Sequence, residues 1–164
     1  MPRIRFIVIF LVLLAAFEFT LLIEAVDQRV VRPFTSSIAT VSGSIIRWSE
    51  RDVRVNGTTI SAPCFAVDIH NGCNGLEATF FIVAAVLAFP ATWPKRALGV
   101  VAGALLIQLA NLIRVATLFF IGCHHRAWFE TFHLAIWQTV IFALAVGFFI
   151  LWSRRGTMTD APGT

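Results

Sequence analysis

The sequence lacks the patterns by which nucleic-acid-binding and metal-binding proteins are usually recognised. Its net charge is +4 at pH 7, but the basic residues lie mainly in tails and loops and form no patch interleaved with aromatic residues. The three cysteines and four histidines include no Cys-x-x-Cys or His-x-x-x-His pair, which are common spacings of zinc ligands. No internal repeat is present either. We therefore expect no nucleic-acid partner, no metal and no cofactor.

Charged residues are also scarce, at 13% of the 164 residues, whereas hydrophobic residues make up 58%. A soluble globular domain of this size does not need so much apolar surface. Sixteen phenylalanines and five tryptophans add bulk that suits lipid and its interfaces. The composition therefore indicates an integral membrane protein that forms one compact bundle.

Four apolar stretches are long enough, or nearly so, to span a bilayer, which takes about 20 residues. They cover residues 6–23, 76–93, 98–122 and 134–152. We predict an all-α polytopic membrane protein with four transmembrane helices in a single domain, residues 1–155, followed by a disordered tail at 156–164. The first stretch follows Arg3 and Arg5 as a secretory signal would, but no small-x-small cleavage site follows it. We expect an uncleaved anchor.

The basic residues predict the orientation in the membrane. One set flanks helix ends with little acidic compensation: Arg3, Arg5, Lys95, Arg96, Arg154 and Arg155. The segment 24–75 and the loop 123–131 instead mix acidic and basic residues. Because positive charge is retained on the cytoplasmic side, both termini are expected in the cytoplasm and these two segments outside.

The outer segment, residues 24–75, carries the signals for non-helical structure. Asn56-Gly57 separates two short β-prone runs and favours a β-hairpin with a type I′ turn. Residues 65–69 predict a third short strand. The spaced apolar residues of 34–48 predict an amphipathic helix on the outer leaflet.

Cys73 lies just before the second apolar stretch, in the segment Asn71-Gly72-Cys73-Asn74-Gly75-Leu76-Glu77. Gly72 and Gly75 permit a tight turn and a close approach to a ligand. The N-terminus of a helix favours negative charge, so we interpret Cys73 as a nucleophile with a depressed pKa. The amide groups there could also receive an oxyanion.

The other two cysteines leave the redox state of Cys73 open. Cys64 precedes it by nine residues, and Cys123 lies at the outer end of the third apolar stretch. In an oxidising exterior Cys64 can pair with Cys73 or with Cys123, and only the second pairing leaves Cys73 free. In a third case all three thiols are reduced.

Arg114 lies inside the third apolar stretch, where insertion of a guanidinium costs about 2.5–3.5 kcal/mol. Asn111 precedes it by one turn on nearly the same face, so this polar face is expected to point into the bundle. We interpret Arg114 as a group that stabilises developing negative charge on a carbonyl or binds a carboxylate. The structural alternatives are an ion pair with Glu18 and snorkelling to the outer surface.

His133 opens the fourth stretch at a depth expected to match that of Cys73. A histidine beside a thiol can take its proton and then donate a proton to a leaving amine. Three other histidines are weaker candidates for this role: His70, His124 and His125. Glu77 is expected to complement the dipole of the second helix or to orient His133.

In this order the motifs resemble those of the exosortase/archaeosortase family of polytopic membrane cysteine transpeptidases. They are Cys73-x-Gly75 before one helix, Asn111-x-x-Arg114 inside the next, and His133 at the start of the last. The resemblance covers about residues 24–150 and is greatest to exosortase H, the compact branch. Asn74 departs from the Ser or Ala that exosortases usually have between the cysteine and the glycine.

The resemblance implies that Cys73 is the nucleophile, Arg114 the transition-state stabiliser and His133 the acid–base residue. Supporting roles fall to Asn111, Gly75 and Glu77. The implied substrates are exported proteins with a C-terminal sorting signal: a motif of the Ile-Pro-Thr-Leu type, a transmembrane helix and a basic tail. Cleavage is expected at the outer face of the bacterial cytoplasmic (inner) membrane through a thioester.

Two other functions are compatible with the same residues. A non-enzymatic membrane scaffold or small channel would use Arg114 and Asn111 only for helix packing. A cysteine peptidase that matures secreted peptides would use the same chemistry on other substrates.

Overall fold

The structure, a computed structural model, describes residues 2–157. In that range six α-helices and three short strands occur in this order: α1 (Pro2–Leu21), α2 (Glu24–Val26), α3 (Arg32–Ile46), β1 (Arg54–Asn56), β2 (Thr59–Ser61), β3 (Ala66–Asp68), α4 (Leu76–Ala88), α5 (Trp93–His124) and α6 (Trp137–Thr157). Two π-helical segments and one 3-10 turn join them: Asp27–Val31, Thr131–Ile136 and Arg126–Trp128.

Three helical segments of the described chain are long and apolar enough to cross a membrane. They are Arg3–Leu21, Trp93–His124 and Arg126–Arg154. The prediction of a mostly helical membrane protein is confirmed, but that of four transmembrane helices is not. Helix α4 has only 13 residues, or about 20 Å at 1.5 Å per residue, against a hydrocarbon core of about 30 Å.

Pro90 explains why α4 is short. The residue before a proline is disfavoured in the helical region, and Phe89 is extended, with φ −73° and ψ 136°. Arg96 Nε donates a hydrogen bond to the Phe89 carbonyl oxygen at 3.1 Å. This carbonyl group at the end of α4 therefore has a hydrogen-bond partner outside the helix. The predicted span 76–93 is therefore wrong at its C-terminal end, since Trp93 already belongs to α5.

The other predicted spans lie on helices with somewhat different bounds. Helix α1 begins and ends before the predicted 6–23, and α5 extends beyond 98–122 at both ends. Helix α6 extends past residue 152 and ends at Thr157. The disordered tail at 156–164 stays a prediction. Residues 158–164 lie outside the described residues.

Helix α4 is the central helix of the bundle, since it packs against α1, α5 and α6. It is apolar on every side, as is typical of a helix that other helices surround. In this core, Ile82 of α4 packs with Ile107 of α5 and with Ile141 and Ala145 of α6.

The three strands form one antiparallel sheet in the order β1-β2-β3. The predicted hairpin and third strand are therefore present. Asn56 pairs with Thr59, which leaves Gly57 and Thr58 in the turn, and of these Gly57 has a positive φ of 59°. The predicted type I′ turn is wrong, because that turn needs two successive residues with positive φ.

A second core joins α3, the sheet and the C-terminal half of α5. The predicted amphipathic helix at 34–48 corresponds to α3, which buries Ile38 and Ile46 beside Ile60 of β2 and Phe119 of α5. The buried face of α3 therefore packs on protein, and it fixes the sheet above the end of α5.

A disulfide also fastens the sheet to α5. Cys64, in the loop between β2 and β3, is bonded to Cys123 near the end of α5, and Cys73 is free. Next to the bond, the ring of Phe65 lies directly on Gly122, where an added Cβ would overlap it. Of the three cysteine arrangements left open by the sequence, the structure has the pairing of Cys64 with Cys123, in which Cys73 is a free thiol.

We expect Gly122→Ala to destabilise the protein, because the new methyl group must displace Phe65 from α5. Overpacking of this kind costs about 1–3 kcal/mol. Gly147→Ala is the matched control, since a Cβ at Gly147 meets no described atom within 4 Å. Thermal unfolding in detergent should show a lower Tm for the Gly122 variant and no loss for the control. Equal Tm values would contradict the tight contact.

Candidate active site

The loop between β3 and α4 has a shape that depends on two glycines. Gly72 and Gly75 have φ values of 86° and 79°, in the left-handed region that other residues rarely adopt. Between them, the Cys73 amide donates a hydrogen bond to the His70 carbonyl oxygen at 2.9 Å. The loop therefore turns sharply at Cys73 and places its half-buried thiol against α5.

Gly75 also brings the loop close to α5. A Cβ at this position would lie 3.0 Å from Gln108 Nε2 and 3.1 Å from Asn111 Cγ. Asn111 is fully buried in this contact, and its side-chain amide has no hydrogen-bond partner among the described residues. Gly75 at the end of the cysteine loop thus lies against Asn111 of α5, and both were predicted as supporting residues.

Asn74 is a positioning residue that the sequence reasoning missed. Its side chain is 1% exposed, and its Nδ2 donates hydrogen bonds to Thr35 Oγ1 at 3.0 Å and to Asn71 Oδ1 at 3.1 Å. Its Oδ1 accepts a hydrogen bond from the Leu76 amide, which forms an Asx turn at the start of α4. An asparagine two residues before a predicted helix is a signal for such a turn, but the contact to α3 through Thr35 had no signal in the sequence.

His133 lies on the π-helical segment Thr131–Ile136 that leads into α6. Its Nε2 is 2.8 Å from Cys73 Sγ, so the thiol and the imidazole are in hydrogen-bond contact. The ring of Phe129 packs beside the imidazole with centroids 5.6 Å apart. The wider helical turn changes the direction in which side chains point, as π segments often do at functional sites.

Arg114 connects the cysteine loop to the histidine segment. Its side chain is 4% exposed, and its Nη2 lies 3.8 Å from Cys73 Sγ. The guanidinium also donates to the carbonyl oxygens of Gly72 and His133, each at 3.4 Å. Arg114 makes no ion pair with Glu18 among the described residues, and its burial excludes snorkelling.

These three side chains line one cavity of about 240 Å³ between the sheet, α5 and the segment before α6. Its other walls include apolar side chains: Phe65, Leu118 and Phe129. The site is therefore a small, largely apolar pocket with a thiol, an imidazole and a guanidinium on one side.

The pKa of the Cys73 thiol is raised, chiefly by burial, and the positive charge of Arg114 offsets only part of that rise. Glu77 raises this pKa further. The predicted depressed pKa is therefore wrong, because Cys73 lies three residues before Leu76, the first residue of α4, and is half buried. The raised pKa favours the protonated thiol at neutral pH.

The remaining candidate residues have different surroundings. Glu77 lies in the first turn of α4 and lines a separate cavity with Glu18, between α1, α4 and α6. Its position suits the helix dipole, and no hydrogen bond joins it to His133 among the described residues. His124 contacts the Phe120 carbonyl oxygen. His70 pairs with Asp68 and lines the cysteine cavity.

A half-buried thiol and imidazole beside a buried guanidinium, at one end of membrane-crossing helices, define a polytopic membrane protein with a cysteine–histidine site. The family model described as transmembrane exosortase (EpsH type) matches residues 2–156. The chain therefore belongs to the transmembrane exosortase family, generally one of membrane cysteine transpeptidases, and the predicted family resemblance is confirmed. No curated protein and no solved structure matches the chain.

We expect the rate of Cys73 alkylation to rise with pH beyond the range in which an exposed cysteine levels off, because the pKa of the thiol is raised. Arg114→Gln removes the charge that lowers this pKa, so labelling at a fixed mildly alkaline pH should become slower. Mass spectrometry after timed iodoacetamide treatment measures the rate. Cys73→Ala controls for reaction elsewhere. A rate that levels off below about pH 8 would contradict a raised pKa.

Proposed function

We propose that this exosortase cleaves the C-terminal sorting signal of exported proteins through a thioester on Cys73. The observation that carries the proposal is the 2.8 Å contact between Cys73 Sγ and His133 Nε2, with the Arg114 guanidinium 3.8 Å from the same sulfur. A nucleophile, a base within hydrogen-bond reach and a buried cation in one cavity are the parts that acyl transfer requires.

The first step uses the contact between thiol and imidazole. His133 Nε2 accepts the Cys73 proton, which requires the tautomer with Nε2 unprotonated. The resulting thiolate attacks the scissile carbonyl carbon. Because burial disfavours the free thiolate, proton transfer to His133 accompanies the attack.

Arg114 stabilises the negative charge that develops in this step. Its Nη2 is directed at the sulfur, and its two contacts with carbonyl oxygens are long, at 3.4 Å each. Its Nε has no partner among the described residues. The guanidinium thus has donors that can shorten onto a carbonyl oxyanion, and the apolar cavity strengthens that interaction.

The tetrahedral intermediate collapses when the C–N bond of the scissile peptide breaks. His133 donates its proton to the leaving amine, and the substrate remains attached to Cys73 as a thioester. A nucleophile from the cell envelope, or water, then resolves the thioester. The first gives a transpeptidase and the second a protease.

The charges of the bundle support an active site on the outer side of the membrane. Arg5 and Arg96 line one cavity, and Lys95 lies 5.9 Å from the ring centroid of Trp152. The N-terminal part of α1, the start of α5 and the end of α6 therefore share a basic end, whereas Cys73 lies at the other end of α4. Positive charge is retained in the cytoplasm, and disulfides such as Cys64–Cys123 form outside it. Both observations favour cytoplasmic termini and an external active site.

The sorting signal of the proposed substrate fits an external active site and a basic cytoplasmic end. We propose that its transmembrane helix lies in the bilayer beside the bundle, with the scissile motif in the cavity at Cys73 and the basic tail on the cytoplasmic side. Co-expression with a protein that carries an Ile-Pro-Thr-Leu-type motif, a transmembrane helix and a basic tail tests the proposal through the size and release of that protein.

We expect Cys73→Ala and His133→Ala to abolish processing of the co-expressed protein while both variants still accumulate in the membrane. One removes the nucleophile and the other its base. His124→Ala is the matched control, because His124 contacts the Phe120 carbonyl oxygen and does not line the cysteine cavity. Normal processing by Cys73→Ala would refute the mechanism.

Arg114→Lys should also reduce turnover, by about 10²–10³ if it removes the equivalent of one oxyanion donor. A lysine carries one compact charged group and cannot contact the sulfur and both carbonyl oxygens as the planar guanidinium does. The measurement is the rate of substrate cleavage in purified detergent-solubilised protein. Full activity of this variant would show that charge alone suffices.

A further inference from the structure

A second cavity lies on the other side of the segment that leads to Cys73. It has a volume of about 320 Å³ and a polar lining that includes Asp27, Arg32, Thr58 and Asn71. The residues Asp68, Ile69 and His70 line both this polar cavity and the cavity of Cys73. This short segment is therefore the wall that the two cavities share.

Asp68 and His70 form a close pair on this wall. His70 Nε2 lies 3.1 Å from Asp68 Oδ2. The other carboxylate oxygen, Oδ1, accepts hydrogen bonds from Thr58 Oγ1 at 2.7 Å and from Thr59 Oγ1 at 3.0 Å. The two threonines therefore fix the carboxylate so that Oδ2 faces the imidazole.

This orientation selects the tautomer of the histidine. The hydrogen bond from Thr58 is the main reason that the pKa of Asp68 is lowered, so Asp68 is ionised at neutral pH. An ionised carboxylate at this distance favours the tautomer with its hydrogen on the facing nitrogen, Nε2, and leaves Nδ1 as the nitrogen that can accept a proton. His70 thus has the electronic arrangement of a general base whose partner is a carboxylate.

We propose that Asp68 and His70 serve the second half-reaction, in which His70 deprotonates the nucleophile that resolves the Cys73 thioester. The nucleophile is a small N–H or O–H compound, or the polar end of a larger one, which approaches through the polar cavity. This proposal rests on the proposed function, because it needs the thioester to form.

The step balances as follows. The nucleophile attacks the thioester carbonyl carbon and gives its proton to His70 Nδ1, and a C–N or C–O bond forms as the C–S bond breaks. Cys73 leaves as a thiolate beside Arg114 and regains a proton from solvent through His133. His70 returns its proton to solvent, to which its side chain is 75% exposed.

The positions of the two histidines suit this division of roles. His133 is on the segment before α6, packs beside Phe129 and contacts the sulfur directly, so it suits protonation of the leaving amine in the bundle. His70 is on the outer segment, beside the polar cavity, where a nucleophile from solvent arrives. Each half-reaction thus has its own base: His133 beside the Cys73 thiol for the first, and His70 beside the polar cavity for the second.

The test is a pre-steady-state reaction of the full chain with an excess of a sorting-signal protein, in buffer with glycinamide as the added amine, so that the first and the later turnovers are both followed. Intact-protein mass spectrometry follows the thioester adduct. We expect His70→Gln to release the cleaved fragment in the first turnover as fast as the native protein, then to accumulate the adduct and turn over at least about tenfold more slowly, since general-base catalysis contributes about 10²–10⁴. Asp68→Asn should show a smaller change in the same direction.

Hydroxylamine supplies a second readout, because it cleaves thioesters without a protein base. It should release the adduct of His70→Gln and restore turnover. His124→Gln is the control and should behave as the native protein does, since His124 lines neither cavity.

Three outcomes separate the alternatives. Unchanged turnover of His70→Gln overturns the proposed second base while the thioester mechanism stands. A slower first turnover in this variant also overturns it, because His70 would then act before the thioester forms. Absence of cleavage and adduct in the native protein overturns the proposed function and this step with it.

Discussion

The candidate active site depends on the burial of one guanidinium among neutral partners. Arg114 is 4% exposed within a helix long and apolar enough to cross a membrane, and the oxygen and sulfur atoms it contacts belong to Gly72, Cys73 and His133. A buried charge is tolerated only where hydrogen bonds replace its hydration. The cysteine loop and the segment before α6 must therefore both approach α5 at this depth. The same contacts that satisfy Arg114 hold the thiol next to the imidazole.

The cysteine loop can approach α5 because of its local chemistry. Gly75 lets the backbone lie against Asn111, and Asn74 ties the loop to Thr35 on α3. The disulfide Cys64–Cys123 fastens the preceding sheet to the end of α5. The loop is thus held from three sides while its thiol faces the cavity.

The short α4 affects the depth of the site. In the proposed orientation this helix starts near Cys73 and ends at the basic, cytoplasmic end of the bundle, and it covers about 20 Å of a hydrocarbon core of about 30 Å. Cys73 then lies below the outer boundary of the membrane, covered by α3 and the sheet. Under the proposed function, a scissile motif next to a transmembrane helix would reach this site directly from the bilayer, and the polar cavity would open on the solvent side.

The residue types and their order were enough to select Cys73, Arg114 and His133, because a charge or a thiol in an apolar chain is conspicuous and needs a reason. The membrane class, the sheet and α3 followed from hydropathy and turn residues, which are local properties. The early end of α4, the raised pKa of Cys73 and the role of Asn74 were not predicted. The pKa of Cys73 and the role of Asn74 depend on what lies beside the residue in space: the burial of the thiol, and Thr35, which is distant in sequence. The early end of α4 has a local cause, since Pro90 disfavours the helical conformation at Phe89, and the prediction extended the span past this proline. By itself the sequence determined which reactive side chains the protein has and that it is a membrane protein, since both depend on composition and spacing. Only the tertiary structure decided which histidine meets the thiol and which cysteines pair, because those distances arise from the packing of helices far apart along the chain.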